Sequence, residues 1–187
     1  ADPFIVEKAD KVYVFYEAFS FRNSKGTLRC RILDRELTEI DDVKLEGFDD
    51  LRCHLSFPFL ININNQLFMI PESSERKEVL LFQSVEFPAR WKKIKVLLSD
   101  TEVTDNIFLS INETCYLLST TMDNKIIIHS AEHLHGQWQR ITPTLKVSNH
   151  HHRGAGTPYL VDNKMYFLTQ ECTPETYGKS IYIKELV

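Results

Sequence analysis

Cysteine is scarce in this 187-residue sequence, and its four occurrences lie far apart without forming a Cys-x-x-Cys pair. We interpret them as buried free thiols, because such spacing does not favour a zinc site or a disulfide framework. Free thiols favour a reducing compartment, so a cytoplasmic location is expected. The sequence also lacks a signal peptide, but it opens at Ala1 in a strand-like pattern, and we expect the natural N-terminus to precede it.

An excess of basic charge and long apolar runs are lacking as well. Lysine and arginine together number 22 against 26 acidic residues, which gives a net charge of −4 at pH 7. Nucleic acid is therefore not the expected partner, since phosphate binding needs a basic surface. No apolar run approaches the roughly 18 residues of a membrane helix, so no membrane span is expected. The hydrophobic share of 43% and the charged share of 26% are typical of a soluble globular domain.

The sequence does contain a fourfold internal repeat. Its segments open at Asp2-Pro3-Phe4, Phe57-Pro58-Phe59, Asp105-Asn106-Ile107 and Thr157-Pro158-Tyr159, at steps of 55, 48 and 52 residues. Each segment continues with a short apolar strand, a turn rich in Asn, Asp and Lys, and a second strand such as VYVFYE or LFMIPE. A third strand follows in every segment, and in two of them a tryptophan introduces a fourth. Antiparallel units at this period predict an all-β propeller.

Carboxylates recur at one place in this pattern. In an antiparallel hairpin the start of the first strand lies beside the end of the second, so both are expected at one mouth of the propeller channel. The two places are 15 positions apart in the first three segments and 13 in the fourth. The carboxylates predicted at the mouth are Asp2, Glu17, Glu72, Asp105 and Glu171. Such a rim suits either acid–base or nucleophilic work on a glycosidic bond, or hydrogen bonding to sugar hydroxyls, although any one residue can also simply cap a turn.

Two basic side chains are candidates for contacts at the same mouth. Arg153 precedes the fourth inner strand, where it could clamp a phosphate or a sugar carboxylate, or pair structurally with Asp2 or Glu72. His54 precedes the second inner strand and could hydrogen-bond a sugar hydroxyl or serve only as a rim residue. Both are predicted to bind substrate.

Aromatic and histidine residues complete the set of candidates. Phe57 and Tyr177 lie near the predicted mouth, so we expect them to stack on a sugar ring. The loops YEAFSFRNSKG and QECTPETYGKS are long enough to shape a pocket. In the run 150–152, neighbouring histidines on an extended segment point to opposite faces and rarely bind one metal. No metal site and no cofactor are expected.

Several motifs carry a family resemblance, in this order: ADPFIV, HLSFPFLI, MIPES, FPARW, TDNIFL, RGAGTPYLV and QECTPETYG. They resemble the N-terminal β-propeller domain of plant glucosamine inositolphosphorylceramide transferases and of related bacterial proteins, some joined to formyltransferase-like or other sugar-modifying domains. The likeness covers nearly the whole chain. More distantly, the pattern is similar to the five-bladed propellers of arabinanases, levansucrases and invertases. The resemblance implies a five-bladed propeller, of which one domain with blades at about 1–50, 51–100, 101–149 and 150–187 is present and the fifth blade is missing.

The resemblance also bears on mechanism. In arabinanase-like hydrolases an Asp that opens the first blade acts as base and an Asp that opens the third tunes the pKa, and Asp2 and Asp105 match these places. The general acid is a Glu that opens the fourth blade, where this sequence has Ala155-Gly156-Thr157. Glu171 or Glu72 would have to replace it. Hydrolysis needs a proton donor for the leaving oxygen, so this departure disfavours a hydrolase.

Three hypotheses for function follow. The favoured one is a module that binds a sugar or glycoconjugate in polysaccharide or glycolipid modification, with a fused or partner sugar-modifying domain, since the plant enzymes are credited with a separate C-terminal glycosyltransferase domain. The second is a glycosidase or transglycosidase with Asp2 as base or nucleophile and Glu171 or Glu72 as acid. The third is a protein-interaction propeller in which the carboxylate rim is incidental.

Overall fold

A computed structural model describes residues 1–142, 153–162, 164–173 and 176–186 of the chain. Within these ranges the fold is all-β, with strands in four antiparallel sheets and two short 3-10 turns at Asp49–Leu51 and Ser74–Arg76. The all-β class predicted from the alternating sequence pattern is confirmed. Over the same ranges, no helix has the length and apolar character needed to cross a membrane.

The first two sheets form one compact unit, Ala1–Thr101. The first sheet consists of β1 (Phe4–Lys8), β2 (Lys11–Ser20), β3 (Lys25–Leu33) and β4 (Glu39–Lys44). The second consists of β5 (Ser56–Ile63), β6 (Gln66–Glu72), β7 (Val79–Glu86) and β8 (Arg90–Leu98). In both sheets the spatial order of the strands equals their order in the chain, as in a propeller blade.

The other two sheets form a second compact unit, Glu102–Val187. The third sheet consists of β9 (Val103–Ile111), β10 (Thr114–Thr121), β11 (Ile126–Ala131) and β12 (Gln139–Ile141). The fourth consists of β13 (Arg153–Gly154), β14 (Tyr159–Val161), β15 (Lys164–Cys172) and β16 (Tyr177–Leu186). Two strands, β13 and β14, pair in succession with β15, so the inner strand of this sheet is interrupted.

Two-residue turns join the inner strands of the first three sheets. Asn64 and Asn65 both have positive φ, of 51° and 61°, which is the conformation of the tight turn that matches strand twist. The corresponding turns are Ala9-Asp10 and Asn112-Glu113, with φ of 47° and 64° and of 48° and 64°. Asn and Asp tolerate this conformation well, so they specify the hairpins locally, whereas Ala9 and Glu113 adopt it because the flanking strands require it.

The core of the first unit lies between its two sheets. Phe15 of β2 is fully buried and its ring meets the Trp91 ring of β8 edge-on, with centroids 5.8 Å apart. The Trp91 indole N–H donates to the Pro88 carbonyl oxygen at 2.9 Å, so its polar atom is satisfied. The same cluster holds, among others, Leu28, Cys30, Met69, Leu80 and Phe82. This packing holds β2 and β5 side by side and so positions the residues at their ends.

Candidate functional site

A one-residue bulge occurs at the start of the inner hairpin. In the second sheet, Ser56 pairs with Glu72 but Phe59 pairs with Ile70, so β5 carries one extra residue opposite β6. The same shift occurs in the first and third sheets, through the pairs Ala1–Glu17 with Phe4–Phe15 and Thr104–Thr120 with Ile107–Leu118. Bulges redirect a side chain from the regular alternation of the strand and are common beside functional sites.

The extra residue has left-handed backbone conformation in all three sheets. Its φ is 49° at Asp2, 42° at Phe57 and 50° at Asp105. This conformation is uncommon for Asp and strained for Phe, so the surrounding structure must impose it. The repeated strain lies at the segment openings that the sequence repeat singles out.

Glu17 and His54 make a polar contact at the end of β2. The Glu17 side chain is 9% exposed, and its Oε1 lies 3.4 Å from His54 Nε2. The Gly26 N–H donates to His54 Nδ1 at 2.9 Å, so Nδ1 carries no hydrogen and the ring proton lies on Nε2, facing Glu17. Burial raises the pKa of Glu17; His54 opposes this shift, and the negative charge of Asp2 adds to it.

Asp2 and Glu72 are the other predicted carboxylates of the first unit. Asp2 is half-buried, and it follows Ala1, whose carbonyl oxygen accepts a hydrogen bond from the Glu17 N–H at 2.9 Å. Glu72, 6% exposed at the end of β6, accepts a hydrogen bond from the Ser74 hydroxyl at 3.2 Å. The hairpin ends of this unit therefore carry buried or half-buried carboxylates, as the repeat predicts.

Asp105 and Arg153 form a buried ion pair in the second unit. Arg153 Nε donates to Asp105 Oδ2 at 2.6 Å and Arg153 Nη2 donates to Asp105 Oδ1 at 3.0 Å. The Asp105 side chain is 3% exposed and the Arg153 side chain 21%. A Cβ atom at Gly154 would lie 2.9 Å from the Asp105 carbonyl oxygen, so only glycine lets β13 approach β9 this closely. Of the two roles proposed for Arg153, the structure shows pairing with a carboxylate, and the partner is Asp105.

Glu171 lies in a bulge of β15 and is held by the neighbouring strand. Its Oε2 accepts hydrogen bonds from the Ser180 hydroxyl at 2.7 Å and from the Tyr182 hydroxyl at 3.3 Å. Tyr177 begins β16, where its backbone pairs with Cys172. Its predicted stacking role concerns a side chain outside the described structure, and the histidine run 150–152 lies outside the described residues.

The structure corrects the role predicted for Phe57. Its side chain is 2% exposed, and its ring packs edge-on against Phe4, with centroids 5.0 Å apart. The left-handed backbone turns the ring into the apolar interior, where a sugar ring cannot reach it. Phe57 is therefore a core residue of the first unit and not a stacking surface.

Sequence reasoning missed an aromatic pair at the end of β2 and in the turn that follows it. Phe19 and Phe21 are 45% and 90% exposed, and their ring centroids are 5.2 Å apart. Glu17 and Phe19 are two residues apart within β2, the period at which strand residues share a face, and Phe21 follows two residues later in the turn. That alternation was the available signal.

A small cavity lies beside Asp105 in the second unit. It has a volume of about 10 Å³, near the lower limit for one water molecule, and its lining includes Thr120, Gly154 and Thr169. The Thr169 hydroxyl has no hydrogen-bond partner among the described residues. Within the described parts of the chain, no group of three or more His, Cys, Asp or Glu side chains is placed to hold a metal ion.

The family described as "Glucosamine inositolphosphorylceramide transferase 1, N-terminal" matches residues 1–187. The chain belongs to this family. Glucosamine inositolphosphorylceramide transferase 1 of Arabidopsis thaliana is 28% identical over 197 residues, in a match that covers 100% of this chain and 25% of the relative. The protein of the same name from Oryza sativa subsp. japonica is 26% identical over 200 residues, covering 100% and 26%. The chain thus spans about a quarter of the length of these curated relatives.

Several solved glycoside hydrolases have folds similar to that of this chain. The exo-β-1,3-galactanase of Phanerochaete chrysosporium, solved with galactose, has a TM-score of 0.76 at 12% identity, covering 99% of this chain and 45% of its own. The catalytic domain of the GH62 α-L-arabinofuranosidase of Coprinopsis cinerea also has a TM-score of 0.76 at 12% identity, covering 98% and 62%. The endo-arabinase of Bacteroides thetaiotaomicron has a TM-score of 0.68 at 12% identity, covering 99% and 74%. At such identities the likeness concerns the fold alone, and it confirms the five-bladed arabinanase-like propeller class, of which the described residues of this chain form four blades.

Proposed function

We propose that this propeller binds a sugar or glycoconjugate for a sugar-modifying domain in the same polypeptide or in a partner protein. The family is named for a transferase of glucosamine to a glycolipid, and the chain matches only about a quarter of the curated relatives. A module of this size within a transferase fits a substrate-engaging role in polysaccharide or glycolipid modification.

The observation that carries the proposal is the way the hairpin-end carboxylates are held. Asp105 is clamped by Arg153 through both oxygens, Glu17 faces His54 Nε2, and the Ser74 hydroxyl donates to Glu72. Carboxylates fixed in this way are preorganised acceptors for sugar hydroxyls, because little side-chain freedom remains to be lost on binding. Asp105 is 3% exposed and both of its oxygens accept from Arg153, so its role in recognition is to orient the guanidinium, whose side chain is 21% exposed.

Each compact unit, described by itself, carries residues proposed to contact a ligand. In the first unit these are Asp2, Glu17, His54 and Glu72, and in the second they are Arg153, Glu171 and Tyr177, with Asp105 holding Arg153 in place. The predicted roles of these residues share one chemistry, in which carboxylates accept hydrogen bonds from hydroxyls and Arg153 and His54 donate to ring or substituent oxygens. Phe57 does not contact the ligand in this proposal, because its ring is buried against Phe4 in the apolar interior.

A glycan array tests the proposal, with oligosaccharides of glucose, galactose, arabinose and hexosamines as probes. The tightest probe is then titrated calorimetrically against the wild type, Asp2→Asn and Glu72→Gln. We expect each variant to lose about tenfold in affinity, because a neutral amide replaces a charged acceptor. Asp123→Asn serves as the matched control, since Asp123 is an exposed carboxylate of a β-turn. Failure of every probe, or equal affinity in all four proteins, would contradict sugar binding through these acids.

A second candidate, glycoside hydrolysis or transglycosylation, is favoured by one observation. Burial raises the pKa of Glu17, which pairs with Ala1 next to Asp2, and a carboxylic acid with a raised pKa near a second acidic residue is an arrangement that glycosidases use. Release of the aryl alcohol from aryl glycosides, measured for the wild type and Asp2→Asn, decides between the two functions. Hydrolysis that disappears in Asp2→Asn would replace the binding proposal with an enzyme.

A further inference from the structure

The end of β2 and the turn that follows it present two phenylalanine rings to solvent. Phe21 is 90% exposed and Phe19 45%, although burial of apolar side chains of this size stabilises a fold. The rings are not independent, since they meet edge-on with an interplanar angle of 79°. Two mutually supported aromatic side chains kept at the surface indicate a contact surface for a ligand.

This aromatic pair adjoins the Glu17–His54 contact. The Phe19 ring centroid lies 6.1 Å from that of His54, whose Nε2 lies 3.4 Å from Glu17 Oε1. Glu17 precedes Phe19 in β2, and Phe21 follows in the next turn, so the surface formed by these residues has a polar end at Glu17 and an aromatic end at Phe21. The polar end is rigid, because a Cβ atom at Gly26 would lie 2.4 Å from Glu17 Oε1 and Gly26 also donates to His54.

On the basis of the proposed function, we propose that Phe19 and Phe21, with His54, form a stacking platform for a pyranose ring. A pyranose has an apolar C–H face bordered by hydroxyl groups. The face packs on the phenylalanine rings, and a hydroxyl donates to the carboxylate of Glu17 while its neighbour contacts His54. We name Phe19, Phe21, His54 and Glu17 the sugar platform.

The polar end of the platform favours a sugar over a hydrocarbon surface. Glu17 Oε2 has no hydrogen-bond partner among the described residues, and a lipid chain seated on the phenylalanines would leave that oxygen unpaired. The nearby Asp2 adds a second acidic group, which an anionic lipid surface would oppose. Hydroxyl groups satisfy both acids.

Saturation-transfer-difference NMR and calorimetric titration test the platform, with the tightest oligosaccharide of the array as probe. We expect Phe19→Ala/Phe21→Ala to lose about tenfold or more in affinity, and Phe21→Tyr to retain binding because the ring remains. Val85→Ala is the control, since Val85 is another exposed apolar residue of the same unit, at 56% exposure. Thermal unfolding of all variants should match the wild type, because the side chains removed are exposed.

The outcomes separate this inference from the proposed function. If the double alanine variant binds as tightly as the wild type while Glu17→Gln binds more weakly, the platform is wrong and sugar binding stands. If the wild type binds none of the oligosaccharides, both are wrong. If the wild type instead sediments with phosphatidylcholine–phosphatidylserine vesicles and the double alanine variant does not, the rings contact lipid and the platform is overturned.

Discussion

Replacing Arg153 by alanine removes both guanidinium donors from a carboxylate that is almost fully buried and leaves the long hydrogen bond from the Thr104 hydroxyl at 3.4 Å. Asp105 is 3% exposed, so the variant leaves a buried charge without its guanidinium partner. Breaking a buried ion pair in this way costs about 3–5 kcal/mol. Because the Arg153 side chain is 21% exposed and water can enter the space it leaves, we expect a value near about 3 kcal/mol.

Urea unfolding, followed by far-ultraviolet circular dichroism and tryptophan fluorescence, measures this loss. A change of about 3 kcal/mol corresponds to a midpoint lower by about 1.5 M urea at an ordinary slope. Arg153→Lys keeps the charge but cannot bind both oxygens through a planar fork, so about half the loss should remain. Asp105→Asn combined with Arg153→Ala should cost less than the sum of the single changes, because no buried charge is then unpaired.

The matched control breaks an exposed ion pair in the same unit. Lys125 and Asp123 are 75% and 61% exposed, and their pair should contribute less than about 1 kcal/mol. If Arg153→Ala costs no more than Lys125→Ala, the guanidinium does not hold Asp105. The argument that fixed carboxylates form the site would then fail for this unit.

Three further predictions concern the first unit. Gly26→Ala should lower stability by about 1–3 kcal/mol in urea unfolding, because the new Cβ would lie 2.4 Å from Glu17 Oε1 and 2.5 Å from the Leu55 carbonyl oxygen; an unchanged midpoint would contradict this packing. The raised pKa of Glu17 means that the folded state binds the proton more tightly than the unfolded state, so wild-type stability falls as pH rises from the ordinary glutamate range through the raised pKa. Glu17→Gln should therefore gain thermal stability relative to the wild type as the pH rises above the ordinary glutamate range, and a difference that does not change with pH would refute the shift. Burial raises the pKa of the Cys30 thiol to about 12, so iodoacetamide at about pH 8 should label the half-buried Cys53 and Cys172 before Cys30, as peptide mass spectrometry would show.

The sequence repeat was sufficient to predict the four sheets, since the signals that form a blade are local. Turn residues such as Asn64 and Asn65 and the alternation of apolar and polar residues specify each hairpin within about twenty residues. The weak fourth strand of the first sheet, Glu39–Lys44, was not predicted, because its sequence EIDDVK is largely charged. Its pairing with β3 is supported by Asp42, which accepts a hydrogen bond from the Arg29 guanidinium at 2.9 Å.

The carboxylates predicted from the repeat lie at the ends of their hairpins, but the roles of single residues depended on contacts that the repeat does not contain. The spacing that identified the opening of the second segment could not show that its extra residue, Phe57, has left-handed conformation. That conformation turns the ring against Phe4 and excludes it from ligand contact.

The sequence by itself determined the all-β class, the period of the blades and the positions of the acids along them, because side-chain alternation and turn chemistry act over a few residues. Only the tertiary structure decided that Arg153 pairs with Asp105, 48 residues away, that Gly26 orients the His54 ring, and that exposed rings adjoin Glu17. These contacts join segments that are distant in the chain. The packing of separate strands decides which residues meet, and local sequence does not contain that information.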